Sequence, residues 1–402
     1  MQRMSAIGIG WRPEIDLTVE ELPGVEFVEA IAEGINPARL PESLVVLRER
    51  GVPVIPHGVG LSVGGAQPPD PARIAHLAAC ARALGSPLVS EHIAFVRAGG
   101  HEAGHLLPVP RTRESLDVVV HNVRAVQSEL DVPLAVENIA ALFAWPENEM
   151  TEAQFLGEVL DRTGALLLLD VANLFSSGVN FAADPLSALD ELPLDRIGYV
   201  HVAGGVERDG VWHDTHTHPV TEPILAVLRE LAQRTSPPGV MLERDGDYPS
   251  AAELAGELSA IRAAVGRTDA TTPGLAPLPG PIPVAAAPEP TAELRARLAA
   301  AQTRLAEALA GNGGLPTGFD DDRLRTQRIA LVRKRSKAVA WHAPGVATML
   351  GDRLITLFGD YAATVPKPEG GSGNDVAAFV AHLRATGVLA GSTRRPRLRL
   401  PR

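Results

Sequence analysis

Eight times between residues 1 and 266 the chain repeats one pattern: a short apolar run, closing on a polar residue in six of the eight, then a longer stretch with helical spacing. The apolar runs are Ala6–Gly10, Val25–Ala30, Val52–His57, Leu88–His92, Leu134–Glu137, Leu166–Asp170, Ile197–His201 and Val240–Glu243. Between them lie stretches such as Pro71–Leu84, Thr112–Leu130, Ala153–Arg162 and Pro223–Arg234, whose apolar spacing predicts helices. Strands alternating with helices specify βαβ units and a parallel sheet. Eight units in roughly 250 residues suit a closed (β/α)8 barrel better than an open doubly wound sheet. No Gly-x-Gly-x-x-Gly follows the first strand, which argues against dinucleotide binding.

The pattern stops near residue 266. Residues 267–290 are rich in Pro and Ala and read as a semi-rigid linker. Thr291–Leu309 is a predicted helix with Leu294, Leu298, Ala301, Leu305 and Leu309 on one face, stopped by Asn312, Gly313 and Gly314. Helices are also expected at Arg323–Val339, Val346–Phe358 and Asp375–Thr386, so 291–390 reads as a small all-α domain, followed by a basic, disordered tail over 391–402. The formal charge of −11 disfavours a phosphate-backbone partner, so nucleic acid is not expected. No apolar stretch reaches the ~18 residues of a membrane span. No secretory signal is visible at the N-terminus, and a cytoplasmic location is the expectation. Cys80 is the only cysteine, which rules out an internal disulfide and a thiolate metal site, and its Ala and Leu neighbours mark it as buried and inert.

In a barrel of this kind the C-terminal strand ends converge on one mouth. Here those ends read His57, His92, Glu137 with Asn138, Asp170, His201 and Glu243, and the loop after the seventh strand adds Asp214 and His216. Any one of these has a plain structural reading: a histidine can be a satisfied polar group, and a strand-end Asp often caps the next helix. Six at corresponding positions are hard to explain that way, because each buried carboxylate would need its own neutralising donor in one crowded space. Cations supply that neutralisation. The imidazole and carboxylate set does not choose among Fe, Zn, Cu, Ni, Mn and Mg, but it exceeds the four ligands of one tetrahedral ion. More than one ion is therefore expected, with Glu137 or Glu243 as a bridging carboxylate and Asp214-x-His216 serving an additional ion.

Histidines elsewhere read as structural or surface groups: His76 and His121 in predicted helices, His101 and His105 in a Gly-rich loop, His213 and His218 beside the Asp214 pair. Gly58, Gly60, Gly64 and Gly65 are expected to let the loop after His57 fold close to the site.

The stretches GIGWRPE (8–14), PHGVGLSVGG (56–65), VSEHIAF (89–95), LLPVPRT (106–112), VENI (136–139), LLLDVANLF (167–175), VHVAG (200–204), HDTHTHPV (213–220) and LERDGDYP (242–249) resemble the domain-of-unknown-function 692 family, in order and over nearly all of residues 5–262. That family includes the multinuclear iron oxidase of methanobactin biosynthesis and the thiaglutamate-pathway enzyme. The resemblance implies a xylose-isomerase-like TIM barrel holding two or three irons. It also implies a reaction in which iron, with dioxygen as co-substrate, oxidises cysteine residues of a ribosomally synthesised precursor peptide. Carried over by motif, the implied ligands are His57, His92, Glu137, Asp170, Asn173, His201, Asp214, His216 and Glu243, with Glu137, Asp170, His201 and Glu243 at the reacting centre. Two segments depart from the family pattern: Ala32-Glu33-Gly34-Ile35 after the second strand, and His105 where an acidic residue is common. Both bear on substrate choice rather than on metal. Members act with a separate partner protein, and IALVRKRSKAVAWHAPGVATMLGD (329–352) and YAATVP (361–366) resemble the helical part of such partners, which implies a partner domain fused to this chain.

Two readings of other classes stay open at this level. One is a redox-silent Mn, Mg or Zn isomerase or phosphodiesterase on the same fold, against which stand the lack of a strand-end Lys and the acidic charge. The other is a non-catalytic metal- or peptide-binding protein.

Overall fold

The computed structural model describes residues 5–267, 274–280, 284, 288–311, 314–365, 367–368 and 371–389. The tail at 391–402, much of the 267–290 segment, Asn312, Gly313, Pro366 and the side chain of His101 lie outside the described residues. Twelve strands are described: β1 (Ala6–Trp11), β2 (Phe27–Ile31), β3 (Val54–Gly58), β4 (Val89–His92), β5 (Phe95–Ala98), β6 (His101–Leu107), β7 (Leu134–Glu137), β8 (Leu166–Asp170), β9 (Ile197–Ala203), β10 (Gly205–Arg208), β11 (Val211–Asp214) and β12 (Gly239–Glu243). Eight of them close a barrel in the order β1-β12-β9-β8-β7-β4-β3-β2, every pair parallel. These are the eight expected strands, and the (β/α)8 architecture holds. The seventh runs two residues past its expected end at His201, to Ala203.

The remaining strands form two antiparallel hairpins, β5–β6 and β10–β11, absent from the sequence reading. Their turns explain them. Gly99 and Gly100 have φ of 59° and 78°, and Asp209 and Gly210 have φ of 55° and 73°. Two consecutive left-handed residues are what a two-residue hairpin turn with the right twist requires, and Asp-Gly is a strong sequence signal for it.

Connecting helices begin on side-chain caps. Asp70 starts Pro71–Leu84 and Thr112 starts Arg113–Gln127, while Thr151 with Gln154 and Ser250 with Glu253 form reciprocal capping boxes. Beyond the barrel come helices Ala292–Leu309, Asp321–His342, Pro344–Leu350, Arg353–Ala362 and Ser372–Ala385. The single helix expected over Val346–Phe358 is two, because Gly351 at φ 51° breaks the run.

The described residues form two compact units. The first holds residues up to 96, 106–302 and 318–320; the second holds 97–105, 303–317 and the described residues from 321 on. In the second, Val339, Phe358, Tyr361, Phe379 and Leu383 make a core, and buried Asp375 accepts two hydrogen bonds from Arg335 at 2.9 Å each. In the first, the floor of the barrel is an apolar layer of Ala6, Phe27, Ile55, Leu88, Ala135, Leu166, Leu168, Tyr199 and Met241, with Leu275 and Leu278 packed against it. Part of the Pro/Ala segment therefore lies on the barrel, held also by hydrogen bonds from Gly274 N to Glu26 O and Ala276 N to Pro238 O. Gln302 is tied to the same unit: it accepts from Ala66 N at 2.9 Å and donates to Gly64 O at 2.8 Å.

Candidate metal centre

Side chains on one face of a strand recur every two residues. Stepping two residues along from the apolar floor gives Glu29 after Phe27, His57 after Ile55, Ser90 after Leu88, Glu137 after Ala135, Asp170 after Leu168, His201 after Tyr199 and Glu243 after Met241. All seven are buried. The first strand adds no ligand, because its small residues leave room for others: a Cβ on Gly8 would lie 2.6 Å from the Phe27 ring.

Four groups of three residues bring donor atoms within 4.8 Å of one another: His57, His92 and Glu137; Glu137, Asp170 and His201; Glu29, His201 and Glu243; and Asp170, His216 and Glu243. The groups share members, so they form one continuous cluster. Glu137 sits at its centre. Its Oε2 lies 3.1 Å from His92 Nε2 and 3.6 Å from His57 Nε2, while its Oε1 lies 3.2 Å from His201 Nδ1. Glu243 Oε2 lies 3.1 Å from His201 Nδ1 and 3.3 Å from His216 Nδ1, and its other oxygen is taken by Arg12 at 3.0 Å. Asp214 Oδ2 reaches His216 Nε2 at 2.6 Å.

Asp170 fulfils the structural reading and leaves more besides. Its Oδ1 caps the helix Val171–Phe181, accepting from Ala172 N at 2.6 Å and Asn173 N at 3.0 Å, while its Oδ2 has no hydrogen-bond partner. Asn173 donates to Asn138 O at 3.0 Å and leaves its own Oδ1 unpartnered. Asn138 itself is committed to the backbone of Asp170 through both amide atoms and ties β7 to β8.

The charge balance explains the proton affinities. Burial opposes an imidazolium at His92, but Glu137 and Glu91 outweigh it and raise the ring to about 9. His201 is raised well above its usual range by Glu29 and Glu137 against burial, and His216 by Asp214 and Glu243 against burial. Burial resists ionisation of Glu243, yet His216 and His201 hold its carboxyl well below the usual range. Asp170 goes the other way: burial and the neighbouring Asp214 push it up to about 8. A pocket that binds protons this tightly on imidazoles is one in which carboxylates outnumber fixed cations.

The fit to metal ions rests on the atoms left over. Buried carboxylate and amide oxygens without a hydrogen-bond partner include Glu29 Oε1, Asp170 Oδ2, Asn173 Oδ1 and Asp214 Oδ1. Buried polar groups are normally paired, and four such oxygens among the imidazoles of this cluster suit cations. The structure thus gathers the nine motif residues at one mouth.

Sequence reasoning missed Glu29, Ser90, Tyr199, Arg12 and Asp245. Arg12 is buried and binds Asp245 Oδ1 at 2.7 Å as well as Glu243. Glu29 lies inside the second strand rather than at its end, and its parity with Phe27 is the signal that marks it. Glu33, in the atypical Ala32–Gly34 segment, accepts from Val59 N at 3.0 Å and so supports the loop after His57. That loop packs closely, since a Cβ on Gly64 would collide with the Val109 side chain. Cys80 is buried, with its thiol raised to about 11 by burial and Glu33. His105 lies 3.3 Å from Lys334 Nζ within the second unit.

Residues 6–266 match the family described as RiPP precursor modification enzyme MbnB/TglH/ChrH, and residues 299–385 match the SCO6045-like, C-terminal domain. A UPF0276 protein of Streptomyces avermitilis is 49% identical over 439 residues, covering 98% of this chain and 90% of its own. A UPF0276 protein of Chromobacterium violaceum is 34% identical and spans 65% of this chain but 95% of its own length, so it is little longer than the barrel. Among solved structures, D-psicose 3-epimerase from Clostridium cellulolyticum is similar at a TM-score of 0.46 and 14% identity, covering 65% of this chain and 99% of its own. Endonuclease IV from Thermus thermophilus is similar at 0.44 and 20%, covering 65% and 98%.

Proposed function

The chain belongs to the RiPP precursor modification enzyme family MbnB/TglH/ChrH, and from that membership we propose that it is a multinuclear iron, dioxygen-dependent oxidase that modifies cysteine residues of a ribosomally synthesised peptide. The observation that carries the multinuclear part is Glu137, whose two oxygens face different imidazoles: His57 and His92 on one side, His201 on the other. A carboxylate placed so is suited to lie between two ions.

On this reading His57, His92 and Glu137 would hold one ion, and Glu137, Asp170, His201 and Glu243 would hold a second. Asp214, His216 and Asn173, with Asp170 or Glu243, would hold a third. Iron bound there would supply the redox chemistry with dioxygen that none of these side chains offers. The protein's own part is to hold and orient. Arg12 fixes one oxygen of Glu243 and leaves the other directed at His201 and His216. Asp170 is anchored by its capping oxygen and offers the other. Burial of the seven strand residues keeps bulk water from the cluster.

The family description supports a precursor peptide as substrate, and the 299–385 domain is the part we assign to holding that peptide, in place of a separate partner protein. A covalent link to the barrel would raise the effective concentration of bound peptide. A photo-crosslinkable precursor peptide should therefore give adducts within 299–385; adducts confined to the barrel would overturn that part.

Elemental analysis of protein purified without added metal, with optical spectra before and after anaerobic reduction, tests the main proposal. Two or three irons per chain and a reducible charge-transfer band are expected, with oxygen consumption that depends on peptide. Stoichiometric zinc or manganese, with no iron uptake on anaerobic reconstitution, would instead support the redox-silent isomerase or phosphodiesterase.

A further inference from the structure

Beneath the candidate ligands runs a buried chain of hydrogen bonds that the metal reading does not use. His57 Nδ1 lies 2.8 Å from Ser90 Oγ, Ser90 Oγ lies 2.7 Å from Tyr199 Oη, and Tyr199 Oη lies 2.5 Å from Glu29 Oε2. The same Glu29 oxygen lies 2.8 Å from His201 Nε2. Every member is buried.

Counting hydrogens gives this chain a direction. An ionised carboxylate can only accept, so the Tyr199 hydroxyl must donate to Glu29. Tyr199 has one hydrogen and has spent it, so the Ser90 hydroxyl must donate to Tyr199. Ser90 has then spent its own, so its oxygen accepts from a hydrogen on His57 Nδ1. On the other side, Glu29 accepts from a hydrogen on His201 Nε2. Burial and the Glu29 charge both hold the phenol proton on Tyr199, in keeping with its role as donor. The tautomer of an imidazole is set by the hydrogen bond its other nitrogen makes.

We propose that Glu29, acting directly on His201 and through Tyr199 and Ser90 on His57, is a positioning residue that selects which nitrogen each histidine presents to a metal. His57 presents Nε2 and His201 presents Nδ1, the two atoms that face Glu137. Opposite nitrogens are thus aimed at one carboxylate from two strands. The inference rests on the metal-centre reading, and it makes an asymmetric prediction. Loss of Ser90 disturbs His57 alone; loss of Tyr199 also removes a donor from the Glu29 oxygen that serves His201, and loss of the Glu29 charge disturbs both histidines.

The test is nitrogen-15 NMR of the imidazoles in full-length protein loaded with zinc alone, a diamagnetic probe. In the wild type, His57 should show a metal-bound Nε2 and a protonated Nδ1, and His201 a metal-bound Nδ1 and a protonated Nε2. Ser90→Ala should change the His57 signals and spare His201, Tyr199→Phe should change the signals of both, and each should weaken zinc binding about tenfold to a hundredfold. Ser90→Thr, which keeps the hydroxyl, should restore the pattern, and this pair carries the test if Tyr199→Phe does not fold. Glu29→Gln should alter both histidines. Zinc on His57 Nδ1 or on His201 Nε2 in the wild type would overturn the proposal, the latter by making Glu29 a ligand. So would a Tyr199→Phe protein with unchanged spectra and affinity. A wild type that takes up no divalent metal would defeat the metal-centre reading itself.

Discussion

The floor and the upper layer of the barrel interior are built from the same strands, two residues apart, yet they answer to opposite demands. The floor residues Phe27, Ile55, Leu88, Ala135, Leu168 and Met241 are apolar and fill space, gaining stability by leaving water. The layer above places Glu29, His57, Glu137, Asp170, His201 and Glu243 in equal burial, where each ionised group costs free energy unless something neutralises it. One layer supports the fold; the other draws on that stability for a site. Tyr199 belongs to both, packing its ring against Phe27 below and giving its hydroxyl to Glu29 above.

Substitutions should separate the two layers. The largest effect is expected from Glu137→Ala in the upper layer. Elemental analysis should find metal content and turnover abolished while circular dichroism still reports a folded barrel; full metal content would refute the ligand assignment. Next is Leu168→Ala in the floor. It should lower stability by about 2–5 kcal/mol in denaturant titrations, while the folded fraction still binds metal as the wild type does. Metal loss there would show that the layers are not separable.

The third prediction concerns pH in metal-free protein. His92 is raised from 6.5 to about 9, with Glu137 and Glu91 overcoming burial. A raised histidine stabilises the fold fully below pH 6.5, and that stability fades as pH rises through about 9. His92 alone should cost metal-free protein on the order of 3 kcal/mol across that window, with His201, His216 and Asp170 acting in the same sense, whereas metal-loaded protein, with these groups held as ligands, should not lose it. Equal slopes for both forms would mean that His92 does not bind metal. The smallest effect is expected from Leu278→Ala under the floor: about 1 kcal/mol, scaled to a partly buried side chain, with metal binding unchanged.

Much of the site was legible because strand ends in a parallel barrel converge whatever the residues between them do. His57, His92, Glu137, Asp170, His201 and Glu243 could be named from position alone, and Asp214 with His216 from their loop. Asn173 needed the family motif. The missed residues share a cause. Glu29, Ser90 and Tyr199 lie within strands, where a polar residue in an apolar run reads as an outward-facing position unless the parity of every strand is aligned. Arg12 and Asp245 follow strands, but they pair with each other, and that pairing across 233 residues has no local trace. The hairpin turn at Asp209-Gly210 carries a local signal; Gly351 does too, but a glycine inside a helical pattern does not by itself say whether the helix ends there.

The sequence by itself determined the eight strands, their order of alternation with helices and the metal-capable residues at their ends, because hydrophobic periodicity and residue chemistry are local properties. Only the tertiary structure decided which carboxylate oxygen faces which imidazole, which oxygen of Asp170 is consumed by a helix cap, and that Leu275 and Leu278 of a Pro-rich segment pack against the barrel floor. Those outcomes depend on strand register and on distances between residues far apart in the chain, which no local pattern encodes.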